Sequence, residues 1–480
     1  MVIFFLLVLQ SFSCTHSFKN PEKSKKKIES ANLLVYFYLP DTNPVDINFL
    51  IEKIEIRSNK KVWTPLNKEP ILIESLSLAG KQIALVRANV PEGTYSTLRF
   101  VIPKGDIRWE DKRMSLSPPT LPFNVPLSSF KVEPERSSAL FLNWYPANSI
   151  VDNYLLSPDV KVMPPHDPPL GLTLYVANSG SDYISVINRF ENRVVKILNV
   201  GKSPTEIVLD KLEERLYVLN SQSRTVTMIN TNDNNILDQI TLASGVKPTD
   251  MAFIPDDNQT NEGKLYITNS VSNDVSVLDT EKRSQVKVIN VGTSPEHIVP
   301  VPERNELYVS NAGDNTVSVI DSLNDNVKAT LKMSSRPADL FLHDEELYVL
   351  ERQINQATVI DLASKKVSRV FSVGDDPVSG LYSDEVNRIF VLNYFPGKIS
   401  FFVPPAAFVD SSNLIPASPL MTRSVRVGNK PVKVVFDFDR SNLYVTNFGD
   451  NAVSVVNPYS EFLETVIPVG IRPVGIAFIK

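Results

Sequence analysis

Leu443-Tyr444-Val445-Thr446-Asn447 is written seven times, with small changes, between residue 174 and the C-terminus. The other copies are Leu174 to Asn178, Leu216 to Asn220, Leu265 to Asn269, Leu307 to Asn311, Leu347 to Glu351 and Ile389 to Asn393. Only Glu351 breaks the terminal Asn. Each copy alternates so that the aromatic residue and its second neighbour share one face and the β-branched residue takes the other, with no charge on either. That pattern suits a strand buried on both sides.

The surrounding sequence repeats as well. A second strand follows, as in Val275-Ser276-Val277-Leu278-Asp279 or Val453-Ser454-Val455-Val456-Asn457, and a third runs into Val-Gly-x-x-Pro, as in Val200 to Pro204 and Val469 to Pro473. A fourth strand follows each proline. The period is about 42 residues, the length of a four-stranded propeller blade. The β-branched density, the Gly and Pro punctuation and the short apolar runs argue against helix.

The phase of the repeat predicts how the ring closes. The first unit lacks a post-proline strand, and Pro473 to Ile479 supplies an extra one at the end. The expectation is therefore an all-β chain with a seven-bladed β-propeller over residues 171–480, closed by its C-terminal strand. In the sixth unit, Val403 to Thr422 interrupts the blade with four prolines and reads as a loop insertion. On these motifs the chain resembles the YVTN-type β-propeller family, named for a strand that appears here as Tyr444-Val445-Thr446-Asn447.

Residues 31–163 carry strands without a repeat, at Leu33 to Leu39, Ile47 to Arg57, Ile71 to Leu76, Gln82 to Asn89, Thr94 to Ile102, Ala139 to Trp144 and Val160 to Met163. This is a β-sandwich pattern. A proline-rich linker, residues 164–170, separates it from the propeller. Tyr38-Leu39-Pro40-Asp41, Leu76 to Gly80 and Pro91-Glu92-Gly93-Thr94-Tyr95 resemble an uncharacterised β-sandwich domain found near the N-terminus of bacterial lipoproteins.

Residues 1–14 open with an apolar run too short for a bilayer's ~30 Å hydrocarbon core, which reads as a signal h-region. Cys14, the one cysteine of the chain, follows it. The position resembles a lipobox, although Ser11 and Phe12 depart from the usual residues, and implies lipidation of Cys14. Residues 15–30, with Lys23, Lys25, Lys26 and Lys27, read as a polar tether. The expected partner is then a lipid bilayer, reached through acylated Cys14.

A single thiol excludes an internal disulfide and a multi-thiolate metal site. The formal charge of −5 mixes both signs and offers no nucleic-acid footprint. Neither a haem motif nor a phosphate loop occurs, four scattered histidines show no ligand spacing, and no cofactor or catalytic residue is expected. The acidic stretches Asp256-Asp257 and Asp344-Glu345-Glu346 read as solvated hairpin loops. The strand-end asparagines read as turn closers that bond backbone amides two residues on.

If the post-proline strands are innermost, as in the resembled family, the residues two beyond each proline meet at one mouth of the central channel. They are Glu206, Asp250, His297, Asp339, Ser379, Lys433 and Gly475. Such a ring could hold a cation or a polar small molecule, or simply line a solvated channel. The functional expectation is a membrane-anchored envelope lipoprotein acting as a binding or adhesion module toward an unknown protein or polar ligand. The alternatives are a lactonase-like or lyase-like propeller enzyme, or a scaffold subunit of an envelope complex.

Overall fold

In the computed structural model, residues 30–479 are described, except 120, 153, 170, 211, 213, 257–261 and 405–418. The expected signal segment, Cys14, nearly all of the polar tether and most of the insertion in the sixth unit lie outside the described residues. Among the described residues no helix is long and apolar enough to cross a membrane.

From Thr173 onward the chain forms seven four-stranded antiparallel sheets, here called blades 1 to 7. Blades 2 to 7 start at their post-proline strands, such as Pro204–Leu209 and Pro431–Asp437. Blade 1 takes Thr173–Asn178, Tyr183–Asn188 and Arg193–Asn199 from its own region and Pro473–Phe478 from the C-terminus. There Leu174, Tyr175 and Val176 pair with Phe478, Ala477 and Ile476. The post-proline strand of each blade touches that of the next, and Pro473–Phe478 touches both Pro204–Leu209 and Pro431–Asp437, so the circuit is complete.

Strand alternation builds the contacts between blades. Tyr217 and Leu219 of blade 2 pack with Leu265 and Ile267 of blade 3, while Tyr266 turns to the opposite side and packs with Leu307 and Val309 of blade 4. Each tyrosine ring is fully buried, and several spend their hydroxyl on a loop at the far end, as Tyr175 does on Asn234 at 2.8 Å.

The strand-end asparagines do not close turns by bonding amides two residues on. Their side-chain amides reach back to strand carbonyls and across to a hydroxyl seven residues later: Asn178 to Ser185 at 3.0 Å, Asn220 to Thr227 at 2.9 Å, Asn269 to Ser276 at 2.9 Å, Asn311 to Ser318 at 2.9 Å and Asn447 to Ser454 at 2.8 Å. In blade 5, Glu351 keeps the arrangement by accepting from Thr358 and from the Ser335 amide. The repeat glycine leaves room for this amide: a Cβ on Gly292 would stand 2.6 Å from the Asn311 side chain, and one on Gly470 would stand 2.4 Å from that of Asn178. Asn269→Ala is expected to cost about 1–3 kcal/mol, because buried acceptors lose their donor; thermal melting checks this.

The N-terminal domain holds three four-stranded sheets around one apolar core. The stretch expected as a strand from Ile71 to Leu76 ends at Glu74, and Ser75–Leu78 is a single helical turn. The Ser75 hydroxyl explains the break, since it accepts from the Ile47 amide at 2.9 Å and donates to the Val45 carbonyl at 2.7 Å. Ile47 to Arg57 divides into Ile47–Ile51 and Lys53–Ser58, which belong to different sheets. Lys104–Trp109, Lys112–Leu116 and Phe123–Val132 are strands beyond those expected from the sequence.

The proline-rich segment joins the two domains without separating them. In Ser30–Tyr38, Leu33, Val35 and Phe37 enter the sandwich core, while Leu34 and Tyr36 pack with Val194, Val453 and Ile467 of blades 1 and 7. Side-chain amides finish the seam. Gln82 exchanges bonds of 3.0 and 2.9 Å with the Val194 backbone, and Asn199 does the same with Ser137 at 3.0 and 3.1 Å.

Candidate functional site

Each post-proline strand carries a register shift just after its proline, in five blades between the proline and the residue two beyond, as between Pro295 and His297 or Pro431 and Lys433, and in blades 1 and 3 one residue later. The bulge aims the shifted residue at the channel and leaves its amide off the ladder. In blades 3 and 4 the Thr or Ser before the strand-end Asn takes up that amide: Thr268 Oγ1 accepts from Asp250 N at 3.1 Å, and Ser310 Oγ from His297 N at 3.0 Å.

Five of the expected ring residues meet. Lys433 Nζ donates to Glu206 Oε2 at 3.1 Å. His297 Nδ1 straddles Asp250 Oδ2 at 3.4 Å and Asp339 Oδ1 at 3.5 Å, close enough for ion pairing and too poorly aligned for a formed hydrogen bond to either. Lys433 and Glu206 come from blades 7 and 2, and the residue between them is Gly475 of blade 1. A Cβ there would stand 2.8 Å from the Thr205 carbonyl and 2.9 Å from the Glu206 Cα, so only glycine lets these strands close up. Ser379 is buried beside the cluster.

The carboxylates are occupied by backbone. Asp250 accepts from Met251 N at 2.8 Å and from Ile298 N of the next blade at 3.0 Å, and Asp339 accepts from Gly380 N of its next blade at 2.8 Å. They stitch neighbouring blades together and sit almost wholly covered, at 7% and 8% side-chain exposure, with Glu206 at 9%. His297 and Lys433 keep 28% and 27%. The ring therefore shows its cations to the channel and holds its acids behind them.

Burial pushes the Glu206 carboxyl up to about 7 against the pull of Lys433. Burial also works against the charge on Asp250, but Lys433 and His297 outweigh it and hold that carboxyl at about 2. On His297 burial is outweighed by Asp250 and Asp339, which raise the imidazole to about 9. Lys433 is likewise held above its usual value, burial losing to the three carboxylates. Stability from Asp250 is present above 3.8 and lost as pH falls toward about 2. That from His297 is complete below 6.5 and lost as pH rises through about 9, and that from Glu206 is complete below 4.5 and lost through about 7. Melting temperature is expected to peak between about pH 4 and 5 and to decline in two alkaline steps, the first removed by Glu206→Gln and the second by His297→Gln.

A second acidic group, with a histidine, gathers at the opposite face. His343 stacks on Tyr382 and lies 3.5 Å from both Asp344 and Asp384, whose side chains are solvent-exposed. Glu346, placed with solvated loop residues by the sequence, is instead half-buried and paired with Arg369.

Residues 34–158 match the family described as a domain of unknown function, DUF4382. The uncharacterized protein YncE of Escherichia coli O157:H7 is 34% identical over 110 residues, which are 22% of this chain and 30% of that protein. Among solved structures, a functionally unknown protein from Desulfotomaculum acetoxidans DSM 771 superposes with a TM-score of 0.55 at 11% identity, covering 64% of this chain and 98% of its own. A putative 6-phosphogluconolactonase from Bacteroides fragilis NCTC 9343 gives 0.52 at 12% identity, covering 65% and 98%. The likeness is one of fold. It supports a propeller-type fold and assigns no activity.

Sequence position alone brought out the ring residues. It did not bring out Arg189, which lies fully buried at the seam between blades 1 and 7, ion-paired with the fully buried Asp437. Its guanidinium also donates to the Ile479 carbonyl at 2.8 Å and to that of Gly171, and stands 4.9 Å from the Phe478 ring centroid. The equivalent positions after the third strand of blades 2 to 5 hold Thr231, Thr280, Ser322 and Leu362. A long cation breaking the repeat at the seam is the signal that marks it.

Proposed function

We propose that the chain is a lipid-anchored envelope protein whose propeller binds a small anionic ligand, a carboxylate or phosphate, at the channel mouth. The observation that carries this reading is the difference in exposure between the ring's cations and its carboxylates. A divalent cation would meet Lys433 and His297 before any carboxylate, whereas an anion would meet two charged donors on a ring already preorganised by blade-to-blade bonds. Lipidation of Cys14 supplies the envelope location, and the mass of the intact N-terminus tests it.

Calorimetry with small mono- and dicarboxylates and inorganic phosphate is expected to give saturable heats. Lys433→Met is expected to weaken binding by roughly 10- to 100-fold, the range for losing a charged hydrogen-bond partner. Unchanged affinity in that variant would retire the site.

One observation favours an enzyme instead. Glu206, held near 7 beside a cation, has the proton affinity of a general acid or base at neutral pH. A lactone-opening activity that vanishes in Glu206→Gln while anion binding persists would select this second reading.

A further inference from the structure

The first described strand starts at the same face of the propeller as the channel mouth. Asn32 pairs with Ser137, and the Ser137 hydroxyl donates to the carbonyl of Ser181, in the loop joining the second and third strands of blade 1, at 3.1 Å. Asn32, Ser181 and Ile471 line one cleft there. Fifteen residues, and so sixteen peptide steps, separate Cys14 from Ser30. Whatever their conformation, they span at most about 55 Å, so an anchor at Cys14 holds the start of Ser30–Tyr38, at this face, within that distance of its membrane.

Charge divides the two faces in the same sense. At the mouth face most acids are engaged: Asp182 accepts from Ser203 N at 2.8 Å, Asp314 from Thr293 N at 2.8 Å and Asp450 from Asn429 N at 2.7 Å, Glu296 and Asp376 pair with Arg336 and Arg352, and the exposed Asp375 accepts from Asn355 Nδ2 at 3.2 Å. Lys247, Lys430 and Arg472, each directly before a repeat proline, are exposed and have no ion-pair partner among the described residues. Val271 and Phe395 stand exposed at loop tips of this face. Acids dominate the opposite face, with Glu281, Glu303, Asp344, Glu345, Asp384 and Glu385 all exposed.

We propose that the mouth face docks on an anionic bilayer surface through Lys247, Lys430 and Arg472, with the acidic face turned to bulk solvent. The proposal rests on the anchored reading for its membrane. Docking adds an orientation that an anchor alone does not impose, because a tether allows any face to approach. An attractive surface potential acts on the three unpaired cations and repels the opposite face.

The test uses the full chain on vesicles of phosphatidylcholine with and without phosphatidylglycerol. Labels are placed at Val271→Cys on the mouth face and Leu323→Cys on the opposite face, and intact mass reports acylation of Cys14. Headgroup quenching of the Val271 label alone, only on anionic vesicles, is the expected result; equal quenching at both positions overturns the docking while leaving the anchor standing. If Cys14 proves unmodified, the anchored reading fails and docking is read by co-sedimentation of the full chain with the same vesicles. Each cation is expected to contribute about five-fold to partitioning, so Lys247→Gln, Lys430→Gln and Arg472→Gln together should reduce it about 100-fold with melting temperature unchanged. Partitioning that is absent, or unaffected by the triple substitution, refutes the proposal.

Discussion

Removal of residues 473–480 is expected to abolish cooperative folding of the propeller. Those residues supply the innermost strand of blade 1, and with it the contacts that join this strand to the innermost strands of blades 2 and 7. Ile476 is buried in the cluster shared with the sandwich, and Phe478 packs against it. Each such side chain contributes ~1.5–3 kcal/mol, and the unpaired backbone of Thr173–Asn178 would add its own cost. Against a typical net stability of about 5–15 kcal/mol, the loss leaves little margin. Calorimetry should show no cooperative transition, whereas a soluble truncation with a sharp melt would contradict the closure.

Arg189→Met is expected to be the most damaging single substitution at the same seam. It leaves the fully buried Asp437 carboxylate without its cation and frees the carbonyls of Gly171 and Ile479. Breaking a buried pair from one side costs about 3–5 kcal/mol, a fall in melting temperature on the order of 10 °C for a domain this large. Asp437→Leu added to Arg189→Met should recover much of the loss, because apolar pairs often replace buried ion pairs without penalty. A double-mutant cycle reads the coupling directly, and additive losses would show that the two residues act independently.

The repeat made the blades legible, since the spacing of aromatic strand, glycine and proline sets four strands and their order. It made the ring residues legible too, because the same offset from each proline carries the same bulge. The exposure of His297 and Lys433 was not legible. It depends on Asp250 and Asp339 being drawn back onto amides of the next blade, Ile298 N and Gly380 N, and no single blade records that.

Docking of the sandwich on the propeller leaves a trace in the sequence. The run Leu33-Leu34-Val35-Tyr36-Phe37 is apolar on both faces, as a strand covered from both sides must be. Its meaning appears only when Leu34 and Tyr36 are seen against blades 1 and 7. The asparagine role differs from the expected one for a related reason: local turn chemistry explains Asn at a strand end, but the Ser or Thr seven residues later and the glycine that makes room for the amide lie on other strands and loops.

Native-state hydrogen exchange of the backbone amides of residues 474–478 puts the ring closure to its most direct trial. With Pro473–Phe478 paired to Thr173–Asn178, the ladder amides there should exchange only by global unfolding, as slowly as those of the central strands of blades 2 to 7. Exchange many-fold faster, at the rate of a fraying terminus, would mean that the last strand is not part of blade 1 and that the channel mouth is not the closed ring on which the binding site depends.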